Sequence, residues 1–421
     1  MKAAARGGTI ARIRPDMARK KSKIRSILNL RRLRWQAFRT LATVFPGLAR
    51  SWNFPLAAVR AVDCAAEVTK NNVERIRLAH SEAEARDILA PAAENDTGDA
   101  QGTARGEGQL SFQSALVRGC MILGHTRTIV KQDTMELVTF DGAIGNWNFA
   151  KPARLKSLPA APHPHVLLHG AGHIFHLFSN GVLPLLRHLD RAPAEPLTLV
   201  CPSPAPGFET EVLAALGRAF PQISLRALAR SEAIADADVR WVFALCSDYE
   251  WMPVTRALAD RLRTILEDYW QHTGRTPERK PAARLFLDRG DAKLRRIRDD
   301  ASVRQVLTHH GYEPFVAHGG NFRDQVAAFA GADEIVAVHG AGLTNLLFCR
   351  PGTRVIEIFP ENFVKSTYFW LARQLGLEYH YLIGGSGDYD QCFEAGADRL
   401  DAQLKALPPL PAAASATDNR T

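Results

Sequence analysis

Five short runs rich in Val, Ile, Leu and Phe recur between residues 284 and 384, each ending in a turn: RLFLDRG (284–290), EPFVAHG (313–319), EIVAVHG (334–340), RVIEIFP (354–360) and EYHYLIG (378–384). Helical periodicity fills the intervals at 299–310, 322–331, 343–349 and 366–376. Continuous apolar strands are buried on both faces, and strands that alternate with helices build βαβ units, so this half predicts an α/β fold with a mainly parallel sheet. A less regular alternation runs upstream through HVLLHG (165–170), a helix near 173–190, PLTLVCP (196–202), a helix near 207–219, ISLRAL (223–228) and VRWVFAL (239–245). The charged, turn-rich stretch HTGRTPERKPA (272–282) separates the two halves. Two successive α/β domains are expected, at 110–275 and 284–405, each binding ligands beyond the carboxyl ends of its strands.

Charge is unevenly placed. Residues 1–50 carry 14 Lys/Arg against the single acid Asp16, so this segment holds +13 of a formal net +9 and the rest of the chain is −4. Apolar residues from Ile24 to Phe45, Trp35 and Phe38 among them, recur at helical spacing between the arginines. A basic amphipathic helix of this composition suits an anionic membrane surface, which makes residues 1–50 a membrane-binding segment; a solvated tail, or a helix docked on the protein's own body, fits the same pattern. Residues 1–60 are thus read as a basic arm and 61–109 as a helical segment and flexible linker that includes PAAENDTGDAQGTARGEGQ (91–109). Residues 406–421 read as a disordered tail. No nucleic-acid module follows the arm, so nucleic acid is not an expected partner. The six cysteines are dispersed, without metal-ligand spacing, and no metal site is expected. With no apolar run near the roughly 18 residues of a membrane span and no signal-peptide core, the expected location is the cytoplasm, or the inner face of a membrane as a peripheral protein.

The strongest local signal is EIVAVHGAGLTNLLF (334–348). Its strand runs into His339, Gly340, Ala341 and Gly342, and a helix carrying Thr344 and Asn345 follows. Glycines allow close approach of a ligand to the backbone, and helix N–H groups favour a phosphate. A histidine at a strand's carboxyl end faces the ligand crevice. Arg289, at the end of the first strand of this half, has the fork geometry to hold a diphosphate; Lys293, Arg295 and Arg296 follow it closely and either share that charge or form a solvated face. Glu357 is a charge amid the apolar strand VIEIF: hydrogen bonds from ribose hydroxyls would justify its burial, as would an ion pair. Asn345 either touches the ligand or supports the loop.

HGAGLTN (339–345) followed by PGTRVIEIFP (351–360) resembles the signature of glycosyltransferase family 61, whose members transfer sugars from nucleotide donors. RLFLDRGDAKLRRIRDDASVRQVLTHHGYEPF (284–315) and GNFRDQVAAFAGADEIVAVHG (320–340) follow that family's order, and HIFHLFSNGVLPLL (173–186) is similar to its histidine-containing helix. The resemblance implies a GT-B architecture of two Rossmann-like domains facing a cleft, with the donor nucleotide on the C-terminal one. It also implies an inverting glycosyltransferase that needs no cofactor, its nucleotide sugar (a UDP-sugar) being a co-substrate and a glycan its acceptor; the basic arm and the lack of a signal-peptide core make bacterial surface-polysaccharide assembly the expected role. The chain departs from the family pattern at His173 and Asn180, where the family has Asn and Asp, and at IRDD (297–300), where it has an Asn-Glu pair. A neutral amide cannot act as general base, so His176 is the candidate base. The alternative is a catalytically lapsed member that serves as a sugar- or nucleotide-binding scaffold. A nucleotide-sugar epimerase would carry an early Gly-x-Gly-x-x-Gly, which the chain lacks.

Overall fold

The computed structural model describes residues 57–60, 67–70, 74–77, 107–139, 153–168, 173–203, 205, 207–245, 254–278, 280–289, 292–318 and 320–409. The membrane-binding segment expected in 1–50 lies outside the described residues. Strands β1 (Ala57–Arg60), β2 (Glu67–Lys70) and β3 (Glu74–Arg77) precede β4 (Glu107–Leu123), β5 (Thr128–Lys131), β6 (Glu136–Thr139) and β7 (Lys156–Pro159). The chain forms two compact units, one from 1–64, 118–160 and 229–237, the other from 65–117, 161–228 and 238–421. In the first, β5 pairs antiparallel with β4 and β6, β1 lies parallel to β6, and Leu123, Val130, Met135, Leu137 and Ala233 form the core.

In the second unit, β2 and β3 pair antiparallel with β4 at 113–116 and 107–110. Within the stretch 61–109, read as a helical segment and linker, residues 67–70 and 74–77 are therefore strands. EVTK and ERIR are too short to sustain a helix alone, and a partner strand some forty residues away in sequence supplies the ladder that fixes them as strands.

The rest of the second unit follows the expected alternation. Strand β8 (His165–Leu167) is followed by α1 (Ile174–Leu177), a π-helical turn (Phe178–Val182) and α2 (Leu183–Arg191). Next come β9 (Leu197–Ser203), α3 (Gly207–Ala219), β10 (Ile223–Ala229), β11 (Glu232–Leu245) and α4 (Arg256–His272). Strands β8 and β9 are parallel. Strand β11 begins well before the expected Val239: Glu232 to Ala235 belong to the first unit and pair there with β7.

The C-terminal half comprises β12 (Arg284–Asp288), α5 (Asp300–His309), β13 (Glu313–Val316), α6 (Phe322–Gly331) and β14 (Glu334–Val338). A 3₁₀ helix (Ala341–Phe348), β15 (Arg354–Phe359), α7 (Thr367–Gln374), β16 (Glu378–Ile383) and α8 (Ala397–Ala406) complete it. Its five strands are all parallel in the order β13-β12-β14-β15-β16. Alternate residues bury opposite faces: Leu285, Leu287, Ile335, Ala337 and Val355 pack with α6, α7 and the 3₁₀ helix, and Phe286, Val336, Val338, Ile356 and Ile358 pack with α5 and α8. The protein is therefore a mixed α/β fold with parallel sheets. Strand order reverses between β12 and β14, which opens a crevice at their carboxyl ends, the place where ligands bind in such sheets.

The core under the first face of this sheet is continuous with that of α1, α2, α3 and α4. Phe322, at the start of α6, is its hub, with ring centroids 5.9 Å from Trp270, 6.1 Å from Phe348, 6.2 Å from Phe178 and 6.3 Å from Phe208. Arg256 on α4 adds a polar tie: its Nη1 donates to the Cys349 carbonyl at 2.7 Å, capping the 3₁₀ helix.

Candidate functional site

The crevice between β12 and β14 is bounded by Arg289 and His339, each the residue after its strand. Gly340 is extended, a backbone any residue adopts; the Arg289 guanidinium occupies the space where its Cβ would stand, and a Cβ on Gly342 would come within 2.9 Å of Leu287. The Leu343 N–H bonds to the Gly340 carbonyl at 2.9 Å, an i to i+3 closure that makes the segment a 3₁₀ rather than the expected α-helix and starts it at Ala341. Its leading N–H groups have no intrahelical partner.

His339 is buried, and its Nδ1 lies 2.6 Å from Glu357 Oε1. Tyr379 donates its hydroxyl to the other carboxylate oxygen at 2.6 Å. Glu357 is fully buried on β15 between these partners, so its carboxylate orients the imidazole, and both of its oxygens are engaged by protein rather than open to a ribose. The ring is boxed by Phe359 (stacked, 5.3 Å), Tyr368 (5.4 Å) and Phe363 (5.6 Å). Burial pushes the Tyr368 and Tyr379 phenols above their ordinary range, so both are neutral hydroxyls.

Cations gather around this box. Arg289 Nη2 donates to the Leu294 carbonyl at 3.2 Å. Arg295 Nε donates to the His339 carbonyl at 2.9 Å and its Nη1 to Gln391 at 3.0 Å. The Arg295 guanidinium and the Lys365 ammonium lie 5.0 and 5.9 Å from the Phe363 ring centre. Lys293 and Arg296 are exposed on the same segment as Arg295. Asn345 is fully buried and supports the loop, donating to Gln325 and to the Gly342 carbonyl, both at 2.9 Å. Thr344 is fully buried beside the Tyr368 hydroxyl.

His176 approaches from the other side. Its ring lies 5.4 Å from Phe175, Phe175 lies 6.2 Å from Tyr368, and Tyr368 lies against His339. Two aromatic rings, Phe175 and Tyr368, thus link His176 to His339. Burial first, then the neighbouring His173, holds the His176 imidazole below its ordinary value of 6.5. The helix turns π immediately after it, a local irregularity often found at functional sites. Asn180 is exposed and accepts from the Ser179 hydroxyl at 3.0 Å. The sequence reading missed Phe363, Lys365, Tyr368 and Tyr379; Tyr379 opposes Val355 across the β15–β16 register, a placement no linear spacing reveals.

Among the described residues no group of three or more His, Cys, Asp or Glu is placed to hold a metal ion. Asp388, which with Asp390 forms an Asp-x-Asp sequence of the kind that can hold a metal, is engaged by Arg298 at 2.7 Å.

Fold and site together define a doubly wound α/β protein with a cation-lined, glycine-bordered crevice at its switch point. Residues 176–356 match the family model described as Glycosyltransferase 61. A 60-residue stretch is 38% identical to a β-1,2-xylosyltransferase of Arabidopsis thaliana and 33% identical to the β-1,2-xylosyltransferase RCN11 of Oryza sativa subsp. japonica. Each match spans 14% of this chain and 11% of the relative's length. Among solved structures, the iron-containing dodecameric glycosyltransferase TibC of enterotoxigenic E. coli H10407 aligns over 69% of this chain and 85% of its own at 10% identity. The TM-score of 0.26 is too low for that likeness to carry weight.

Proposed function

We propose that the protein is an inverting glycosyltransferase that moves a sugar from a nucleotide donor to a glycan hydroxyl. The observation that carries this reading is that the family match begins at His176 and runs through Arg289, His339 and Asn345. In this scheme the acceptor hydroxyl loses its proton to His176 Nδ1 or Nε2 and attacks the anomeric carbon opposite the departing diphosphate, a single displacement that inverts configuration. Arg289, Arg295 and the N–H groups of the 340–342 turn stabilise the charge that develops on the leaving group, so no step calls on a metal or other cofactor. The donor we infer is a UDP-sugar, and the relatives named xylosyltransferases make a pentose the first sugar to test. A surface polysaccharide is the acceptor class proposed, in a GT-B arrangement with the donor on the C-terminal half. The alternative, a lapsed enzyme that only binds, is favoured by the exposed amide of Asn180 where the family has an acid.

Calorimetry with UDP, GDP and CMP, followed by turnover assays on nucleotide sugars, tests this. Arg289→Ala and His339→Ala are each expected to weaken nucleoside diphosphate binding by about 1.5–3 kcal/mol, the worth of a hydrogen bond to a charged group. Identical binding by wild type and both variants would place the donor elsewhere.

Residues 1–50 are proposed to hold the protein on the cytoplasmic face of an anionic membrane. Among the described residues no helix is long and apolar enough to cross a membrane. Deleting 1–50 is expected to abolish co-flotation with anionic vesicles while turnover on a soluble acceptor persists; equal flotation of both proteins counts against anchoring.

A further inference from the structure

The large apolar side chains that stand exposed among the described residues are Leu225, Leu294 and Tyr389, at 46%, 45% and 87% of full exposure. Leu294 and Tyr389 flank a single backbone hydrogen bond, from the Arg295 N–H to the Asp390 carbonyl at 2.9 Å. That bond lies at the edge of the crevice. The Leu294 carbonyl accepts from Arg289, and Gln391, two residues after Tyr389, accepts from Arg295, whose Nε reaches the His339 carbonyl.

The loop that displays Tyr389 is heavily bonded. Asp388 Oδ1 accepts from the N–H groups of Asp390 at 2.8 Å and Cys392 at 3.0 Å, and its Oδ2 accepts from Arg298 at 2.7 Å. Asn362 pairs with both the carbonyl and the N–H of Gly387, at 2.9 Å each. An aromatic side chain held out on a rigid loop makes binding surface at little ordering cost.

We propose that Tyr389, with Leu294 beside it, is the stacking platform for the nucleobase of the donor, whose diphosphate is directed at Arg289, Arg295 and the 340–342 turn. This rests on the nucleotide-donor reading above. Charge complementarity selects the occupant: a nucleoside diphosphate carries a flat ring joined to an anionic group, which matches an exposed ring next to a cation cluster, whereas a neutral acceptor glycan offers no charge to that cluster. Stacking tolerates any base, so this contact gives affinity for nucleotides generally, and discrimination among bases is modest.

Tyr389→Ala and Tyr389→Phe, compared with wild type by calorimetry against UDP, GDP and inorganic pyrophosphate, test the assignment. Loss of one base–aromatic stack corresponds to about a 5- to 150-fold rise in Kd. That rise is expected for UDP and GDP with Tyr389→Ala, with no change for pyrophosphate and near wild-type binding by Tyr389→Phe. Thermal unfolding should match wild type, since the side chain is exposed. UDP binding by Tyr389→Ala equal to wild type overturns the platform, as does an equal loss for pyrophosphate, which would mean that the cation cluster was disturbed. A wild-type protein that binds no nucleoside diphosphate overturns the nucleotide-donor reading itself, and is distinguishable because the failure then precedes any mutation.

Discussion

His176→Ala is expected to abolish sugar transfer, by about 10²- to 10⁴-fold, while UDP binding is unchanged, because in the proposed scheme the base acts on the acceptor and the nucleotide is held by the C-terminal sheet. The pH profile gives an independent reading. With its pKa lowered by burial and by His173, the imidazole is neutral at pH 7, the form that can take a proton. Activity is lost as pH falls through that lowered pKa, so the acid limb of kcat/KM is expected below 6.5 rather than at it. Asn180→Asp places a carboxylate one helical turn away, which stabilises the imidazolium and should shift the acid limb upward. Robust turnover by His176→Ala would dismiss the histidine as base. Silence of both wild type and variant with every donor, alongside normal UDP binding, would identify the lapsed enzyme.

The second large effect concerns stability at the opposite end of the same sheet. Glu334, Arg354 and Glu378 are the first residues of β14, β15 and β16 and stand opposite one another in register. Arg354, 3% exposed, donates to Glu334 at 2.8 Å and to Glu378 at 2.9 Å, and Tyr312 also donates to Glu334. Arg354→Met is expected to cost about 3–5 kcal/mol, because it strands the buried Glu334 carboxylate without a cation. A second change, Glu334→Gln, should recover much of that loss by removing the stranded charge. Denaturant titrations of the single and double variants decide it: a single variant within about 0.5 kcal/mol of wild type would show that the pair contributes nothing beyond its own desolvation. Donor affinity of the folded Arg354→Met protein should stay at the wild-type value, since the row lies at the amino ends of the strands and the crevice at their carboxyl ends.

The extent to which the sequence foretells these features varies with the range of the interaction. Helices 207–219 and 322–331 and the strands 334–338 and 354–359 were readable because burial of a continuous apolar run, or of one helical face, leaves its period in the sequence. His339, Gly340 and Arg289 were readable as strand-end residues. What the sequence did not disclose is who partners whom. Glu357 stood out as a charge among aliphatics, yet its partners come from the strands on either side, His339 following β14 and Tyr379 within β16. The aromatic box drew Phe363 and Tyr368 from the loop after β15 and from α7, where nothing periodic marks them. The π turn after His176 has no compositional signature, and β2 and β3 acquire strand character only from pairing with β4.

The aromatic cluster around Phe322 bears on how such a protein can change over evolutionary time. Because Phe178 and Trp270, from the half that carries the candidate base, share one core with Phe322 and Phe348 beneath the glycine-rich turn, the two halves of the second unit are not interchangeable modules. A C-terminal half grafted from a relative would have to bring matching side chains for α1, α2 and α4, or leave voids in this shared core. The helix that carries His176 and the glycine-rich turn are therefore inherited as a unit.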